Sequence, residues 1–333
     1  RRSHDAHPVR PMLAVALPDD SIRFLPYRTD AEVRYQGLAL THEFQRECHS
    51  VAWSPLSEVV AVGTRHGVCL WRLFPDESSW MTFLQHPRRK AAHALTWCPF
   101  GRHLAAISRD EACVLVWDVA ARSACPLHCS GLRLGNPKAV SWSPDGLYLL
   151  VTFQDDGFAI WETKRWSCES FAMGGACRAV GWSPCASMVV LAMDAADTEN
   201  RDCQPLFVGT LYAAADGAHF GVEWLLASLP HAIETRDVVC SGATVAGLSF
   251  SPDGATLAVA FEPGTGSSAV VTYQIRRQPS LTFSVARVLD VRDGPAPDEI
   301  KFCPSPNPSP SATADVLSAL WGSDLTLFVG TSS

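Results

Sequence analysis

The stretch that decides the fold is Val140-Ser141-Trp142-Ser143-Pro144-Asp145-Gly146. Val140 and Trp142 alternate with period two, which places both on one face of a β-strand. Ser143-Pro144-Asp145-Gly146 then suits a type I turn, since proline presets φ at the second position and glycine is favoured at the fourth. A second strand, Tyr148-Leu149-Leu150-Val151, follows at once. The phrase recurs as Val51-Ala52-Trp53-Ser54-Pro55, as Leu95-Thr96-Trp97-Cys98-Pro99-Phe100-Gly101 and as Val180-Gly181-Trp182-Ser183-Pro184. It returns as Leu248-Ser249-Phe250-Ser251-Pro252-Asp253-Gly254 and, degraded, as Ile300-Lys301-Phe302-Cys303-Pro304. The aromatic positions lie 44, 45, 40, 68 and 52 residues apart. The first three gaps match the period of about 40–45 residues of four-stranded propeller blades, and the two long ones imply insertions.

A further strand follows each aromatic, first in Val68–Trp71, Val114–Asp118 and Phe158–Glu162, then in Leu206–Val208, Val270–Tyr273 and Leu325–Phe328. With the strand near Ile22 this makes seven, or about 46 residues per blade between Met12 and Gly330. The chain is therefore read as all-β, a seven-bladed β-propeller occupying residues 12–331 as one domain. Trp53, Trp97, Trp142, Trp182, Phe250 and Phe302 are its expected structural anchors, packed between neighbouring blades. The first blade reads as incomplete, because Met12–Leu17 and Ser21–Phe24 have no Trp-Ser-Pro strand ahead of them. Residues 1–11 read as an N-terminal extension within a longer chain. Ring closure then calls for strands from upstream chain or from another protein, since an open ring exposes sheet edges.

Composition narrows the function. The chain has 333 residues, 47% hydrophobic and 18% charged, enough to bury a large core without staples. With 27 Lys and Arg against 34 Asp and Glu, the net charge of −7 argues against direct nucleic-acid binding through the phosphate backbone. No apolar run reaches the roughly 18 residues of a membrane span. Twelve cysteines without a C-x-x-C pair, and no N-x-Ser/Thr acceptor, point to a reduced, intracellular compartment. Cys125-Pro126-Leu127-His128-Cys129 comes nearest to a metal cluster but lacks a second ligand pair. There is no G-x-S-x-G elbow, phosphate-binding loop or H-E-x-x-H helix. No catalytic, cofactor-binding or metal-ligating residue is assigned, and the chain is read as non-enzymatic.

Some stretches leave the repeat. Asp194–Asp202 is an acidic insertion that contains Asp197 and Glu199. Phe220-Gly221-Val222-Glu223-Trp224-Leu225-Leu226 lies between the fourth and fifth copies of the phrase. As an outer strand it belongs to the core; as an exposed face it is a partner patch. Asp197, Glu199, Phe220, Trp224, Leu225 and Leu226 are the candidate partner contacts. The basic run His86–Lys90 and the proline-rich segments 293–297 and 304–310 read as solvated loops.

Trp117-Asp118, Trp161-Glu162 and the Trp-Ser-Pro-Asp-Gly strings resemble WD repeats, which implies a WD40-type propeller. Longer strings resemble the aladin family of WD-repeat nucleoporins: Leu13–Arg23, Val51–Ser57, Val116–Val119 with Cys125-Pro126-Leu127, and Phe158–Glu162 with Trp166–Glu169. The match is best over residues 12 to about 185. The Gly-His dipeptide common in WD repeats is absent, and most blades lack Asp after the tryptophan, so the usual buried His–Asp network is not expected. The resemblance implies a non-enzymatic structural subunit of the nuclear pore complex at the nuclear envelope, serving protein and mRNA transport. It implies protein partners, among them a transmembrane nucleoporin through which alone the chain meets the membrane, and no cofactor. The competing reading is a WD-repeat adaptor or substrate receptor of another assembly, such as a ubiquitin ligase. An enzyme would instead gather polar, pKa-shifted side chains at one mouth of the central channel.

Overall fold

The computed structural model describes residues 3–27, 35, 37–87, 91–109, 112–128, 135–193, 203–213, 220–230, 244–262, 267–277, 280–303, 316–321 and 324–329. These form seven antiparallel sheets, in each of which strands consecutive in sequence lie side by side. Blade 1 holds β1 (His4–Ala6), β2 (Met12–Ala16), β3 (Ile22–Pro26) and β4 (Ala39–Leu40). Blade 2 holds β5 (Ser50–Trp53), β6 (Val59–Thr64), β7 (Gly67–Leu73) and β8 (Ser79–Leu84). Blade 3 holds β9 (Ala94–Trp97), β10 (His103–Ile107), β11 (Val114–Asp118) and β12 (Ser123–Leu127). Blade 4 holds β13 (Pro137–Trp142), β14 (Tyr148–Phe153), β15 (Phe158–Glu162) and β16 (Ser167–Phe171). Blade 5 holds β17 (Cys177–Trp182), β18 (Val189–Met193), β19 (Cys203–Ala213) and β20 (Phe220–Pro230). Blade 6 holds β21 (Thr244–Phe250), β22 (Thr256–Glu262), β23 (Ser267–Arg276) and β24 (Thr282–Asp293). Blade 7 holds β25 (Glu299–Cys303), β26 (Val316–Trp321) and β27 (Asp324–Val329). The fold is the all-β, seven-bladed propeller that the repeat predicts.

One expectation is corrected. Blade 1 is a complete four-stranded sheet, and its first strand comes from residues expected to lie outside the propeller. His4, Asp5 and Ala6 pair with Val15, Ala14 and Leu13. No aromatic marks this strand, because polar bonds to the blades on either side hold it in place. Among the described residues the short sheet is blade 7.

The propeller has no single core; it has one apolar cluster for each joint between blades. In β2, Met12, Ala14 and Ala16 face blade 2, while Leu13 and Val15 face blade 7. Leu149 and Val151 of β14 face blade 3, and Leu150 faces blade 5. With both sheet faces covered, the second strands read as unbroken apolar runs. Each aromatic of the repeated phrase packs onto the blade before its own. Trp53 lies among Met12, Ile22 and Phe24 of blade 1, and Trp182 among Tyr148, Leu150 and Phe158 of blade 4. Phe250 meets Val190 and Leu206 of blade 5, and the half-buried Phe302 meets blade 6. Trp97 and Trp142 add a hydrogen bond: their Nε1 groups donate to the carbonyls of Ala52 and Thr96 in the preceding blade, at 3.1 and 3.2 Å.

The turn after each aromatic is held from within. Ser143 is fully buried; its Oγ donates to Asp145 Oδ1 at 2.5 Å and accepts from the Tyr148 amide at 2.9 Å. Ser251 and Asp253 repeat the arrangement in blade 6. Gly146 closes the turn at φ +68°, and a Cβ there would lie 2.8 Å from the Phe100 ring of blade 3. In blade 5, Cys185 stands in the aspartate's place. Hydrogen bonds from Ser187 and Ser183 pull its thiol pKa down to about 6.

Longer hairpins take up part of the two long gaps. β19 and β20 are each 11 residues and pair along their whole length, and β23 and β24 have 10 and 12. Replacing Trp97 with alanine is expected to lower stability in urea unfolding by ~3–5 kcal/mol. Gly146→Ala, which forces a side chain into the left-handed region, should cost about 1–2 kcal/mol.

Candidate functional site

Polar groups gather at one joint of the ring, and exposed apolar groups on one outer hairpin. The first is the joint between blades 7 and 1, on the inner strands β25 and β1. Lys301 Nζ donates to the His4 carbonyl at 3.0 Å, to Asp5 Oδ1 at 3.1 Å and to Glu299 Oε1 at 2.8 Å. Glu299 Oε2 accepts from the His4 amide at 3.0 Å and from Ser3 Oγ at 3.2 Å. His4 Nε2 lies 2.7 Å from Ser318 Oγ. The same short strand reaches blade 2, where Asp5 Oδ2 accepts from the Trp53 amide at 2.7 Å and Ser3 Oγ from the Val51 amide at 3.2 Å.

These contacts perturb the charges. Burial works against the Glu299 carboxylate, but Lys301 and His4 outweigh it and hold its pKa far below the ordinary value. Burial also works against the Lys301 ammonium, and Asp5 and Glu299 more than compensate, holding it above the usual lysine range. A cavity of about 330 Å³ runs along the inner strands, lined by Val140, Val180 and Leu248, with Glu299 and Lys301 on its blade 7 wall. Every charge of this cluster faces another within 3.1 Å, so the arrangement clamps the ring.

The second place is the outer hairpin of blade 5. Phe220 is buried against Tyr148, with ring centroids 5.4 Å apart. Trp224 packs on Phe158 and Phe171 of blade 4, at 5.2 and 5.8 Å. Its ring also covers Gly209 on the paired strand, where a Cβ would come within 2.6 Å. Farther along β20 the inward side chains are Ala227 and Leu229, which join the cluster shared with blade 6. The two faces of the strand thus have different neighbours, blade 4 over Phe220 and Trp224 on one face and blade 6 over Ala227 and Leu229 on the other. Leu225 and Leu226, on opposite faces between these two covered stretches, are 51% and 62% exposed. Tyr212 on β19 and Val285 on β24 are also exposed.

The expected partner contacts therefore divide. Phe220 and Trp224 are packing residues, while Leu225 and Leu226 are exposed. Asp197 and Glu199 lie outside the described residues. So does Cys129, and among the described residues no group of three or more His, Cys, Asp or Glu is arranged to hold a metal ion. Composition gave no signal for the cluster of His4, Asp5, Glu299 and Lys301, whose members lie about 300 residues apart in sequence.

Comparison with known proteins adds two findings. Over 275 residues the chain is 22% identical to aladin from Arabidopsis thaliana, covering 74% of this chain. The chain spans only 58% of that relative's length. In fold it is similar to the β-propeller domain of Cps50 (Swd1) from Myceliophteria thermophila, with a TM-score of 0.67 and 12% identity, over 99% of this chain and 97% of the other. No family model matches.

Glu299→Gln should be less stable than the parent at pH 7, by about 2 kcal/mol in urea unfolding. A carboxyl whose folded pKa is depressed contributes stability above its unfolded value and loses it on acidification. The difference between the two proteins should therefore narrow as pH falls below about 5. Leu225→Asp with Leu226→Asp should leave the melting temperature within about 1 °C of the parent, whereas Phe220→Ala should cost ~3 kcal/mol.

Proposed function

We propose that this chain is an aladin-like, non-enzymatic structural subunit of the nuclear pore complex. In this reading it sits at the nuclear envelope, is anchored through a transmembrane nucleoporin, and supports nucleocytoplasmic transport of protein and mRNA. The observation that carries the reading is the similarity to aladin, which extends over 275 residues and so covers most of the blades. The fold supports it, since a rigid ring of seven sheets offers several faces to protein partners. On the channel side Asp5, Glu299 and Lys301 are engaged with one another in joining blades 7 and 1. Leu225 and Leu226 are the proposed contacts for a protein partner, because an apolar pair left uncovered by both neighbouring blades gains most from being covered.

The test is affinity purification of the tagged full-length protein from detergent-solubilised nuclear envelopes, with identification of what comes with it. The expected result is a transmembrane nucleoporin that survives washing and is lost with Leu225→Asp and Leu226→Asp. Recovery of ubiquitin-ligase subunits without pore proteins would overturn the pore assignment in favour of an adaptor.

A further inference from the structure

Between blades 2 and 3, away from both places described above, lies a groove of about 530 Å³. Its lining contains Arg72, Arg102 and Arg122 and neither aspartate nor glutamate, in a chain whose net charge is −7. Arg102 pairs with Asp118 at 3.2 Å. Arg72 and Arg122 are exposed and make no ion pair among the described residues. The floor is the buried indole of Trp97. Trp80 stands on the blade 2 wall with 68% of its surface in solvent, and Phe74 is partly exposed next to it. Leu56, 72% exposed, lies beside Gly101 of the lining, where a Cβ would come 3.5 Å from its own.

The repeat shows that the blade itself does not require these residues. Arg72 follows Trp71 as Asp118 follows Trp117 and Glu162 follows Trp161. Asp118 and Glu162 each sit opposite a serine on the next strand; the Asp118 carboxylate accepts the Ala121 amide of the turn beyond it, and the Glu162 carboxylate the amides of Lys164 and Arg165. In blade 2 that position carries the opposite charge, and it faces Trp80 in place of serine. An arginine cannot accept those amides, and an exposed tryptophan adds nothing to the packing between blades. Local departures from a repeat that bring no packing gain mark functional positions. Tryptophan and arginine together are also the side chains that most often dominate binding energy at protein interfaces.

We propose that this groove docks a short acidic peptide segment of another protein. One apolar side chain of the peptide seats against Trp80 and Phe74, and its carboxylates meet Arg72, Arg102 and Arg122. A groove of this volume takes a short run of side chains. Nucleic acid would need a longer basic stripe than three arginines on an acidic chain provide. The inference stands on the groove alone and does not depend on placement at the pore.

The experiment is fluorescence polarisation with the full chain and three labelled 12-residue probes. One is rich in Asp and Glu around a central Phe, one has that Phe replaced by Ala, and one has every acid replaced by Lys. The expected result is binding of the first probe, weakened by added salt and about tenfold weaker without its Phe. Trp80→Ala, and separately Arg72→Glu with Arg122→Glu, should each weaken it about tenfold or more while the melting temperature stays at the parent's value. No binding up to about 1 mM, equal binding by both variants, or binding of the Lys probe would overturn the proposal. A Trp80→Ala protein that no longer folds would overturn the assigned role of the indole, leaving the arginine pair to decide the groove. Tighter binding of a single-stranded oligouridylate than of the acidic probe would replace the peptide as occupant and overturn the proposal as stated.

Discussion

The second strand of each sheet in this protein is buried on both of its faces, and that constraint governs everything else. A strand such as β14, whose alternate residues belong to two different clusters, has no solvent face on which a blade could stand alone. A blade without neighbours would expose two apolar surfaces, so stability comes in units of joints. The repeated aromatic is the device that makes each joint specific. It reaches back onto the preceding blade, and in Trp97 and Trp142 a directional hydrogen bond sets its position as well as its depth.

The joint between blades 7 and 1 obeys the same constraint with different means. Its apolar cluster is small, drawing on Leu13, Val15, Tyr27, Cys303 and Val316. Charge supplies what the small cluster lacks: Lys301 and Glu299 on one side meet the His4 backbone and Asp5 on the other. Such a pairing is less forgiving than apolar contact, because removing one member leaves a desolvated partner behind. It also fixes register. The three residues of β1 carry no apolar alternation of their own that would place them.

How far the sequence could be read follows from these differences. The Trp-Ser-Pro phrase was legible because it combines a strand period with turn chemistry, both of them local. The buried Ser143 and Ser251, each satisfied inside its own turn, are the physical form of that signal. β1 was missed because His4-Asp5-Ala6 has nothing local to recognise; its partners are distant in sequence and polar. The segment 220–226 was legible as a strand and not as a surface. Alternation puts Phe220, Val222, Trp224 and Leu226 on one face, but blade 4 covers that face only as far as Trp224, leaving Leu226 outside. The groove beside Trp80 was not read from sequence at all. It requires knowing that Arg72 and Trp80 are cross-strand partners and that blade 3 brings two more arginines alongside.

Among the described residues no strand is shared between the first blade and the last; β1 to β4 form one sheet and β25 to β27 another. In mechanical terms the ring is a split washer, with a single gap pressed shut by side chains. Tension applied between residues near His4 and residues near Val329 would pull directly on that gap, where a small apolar cluster and a few polar contacts stand in for the covalent link that the other six joints have.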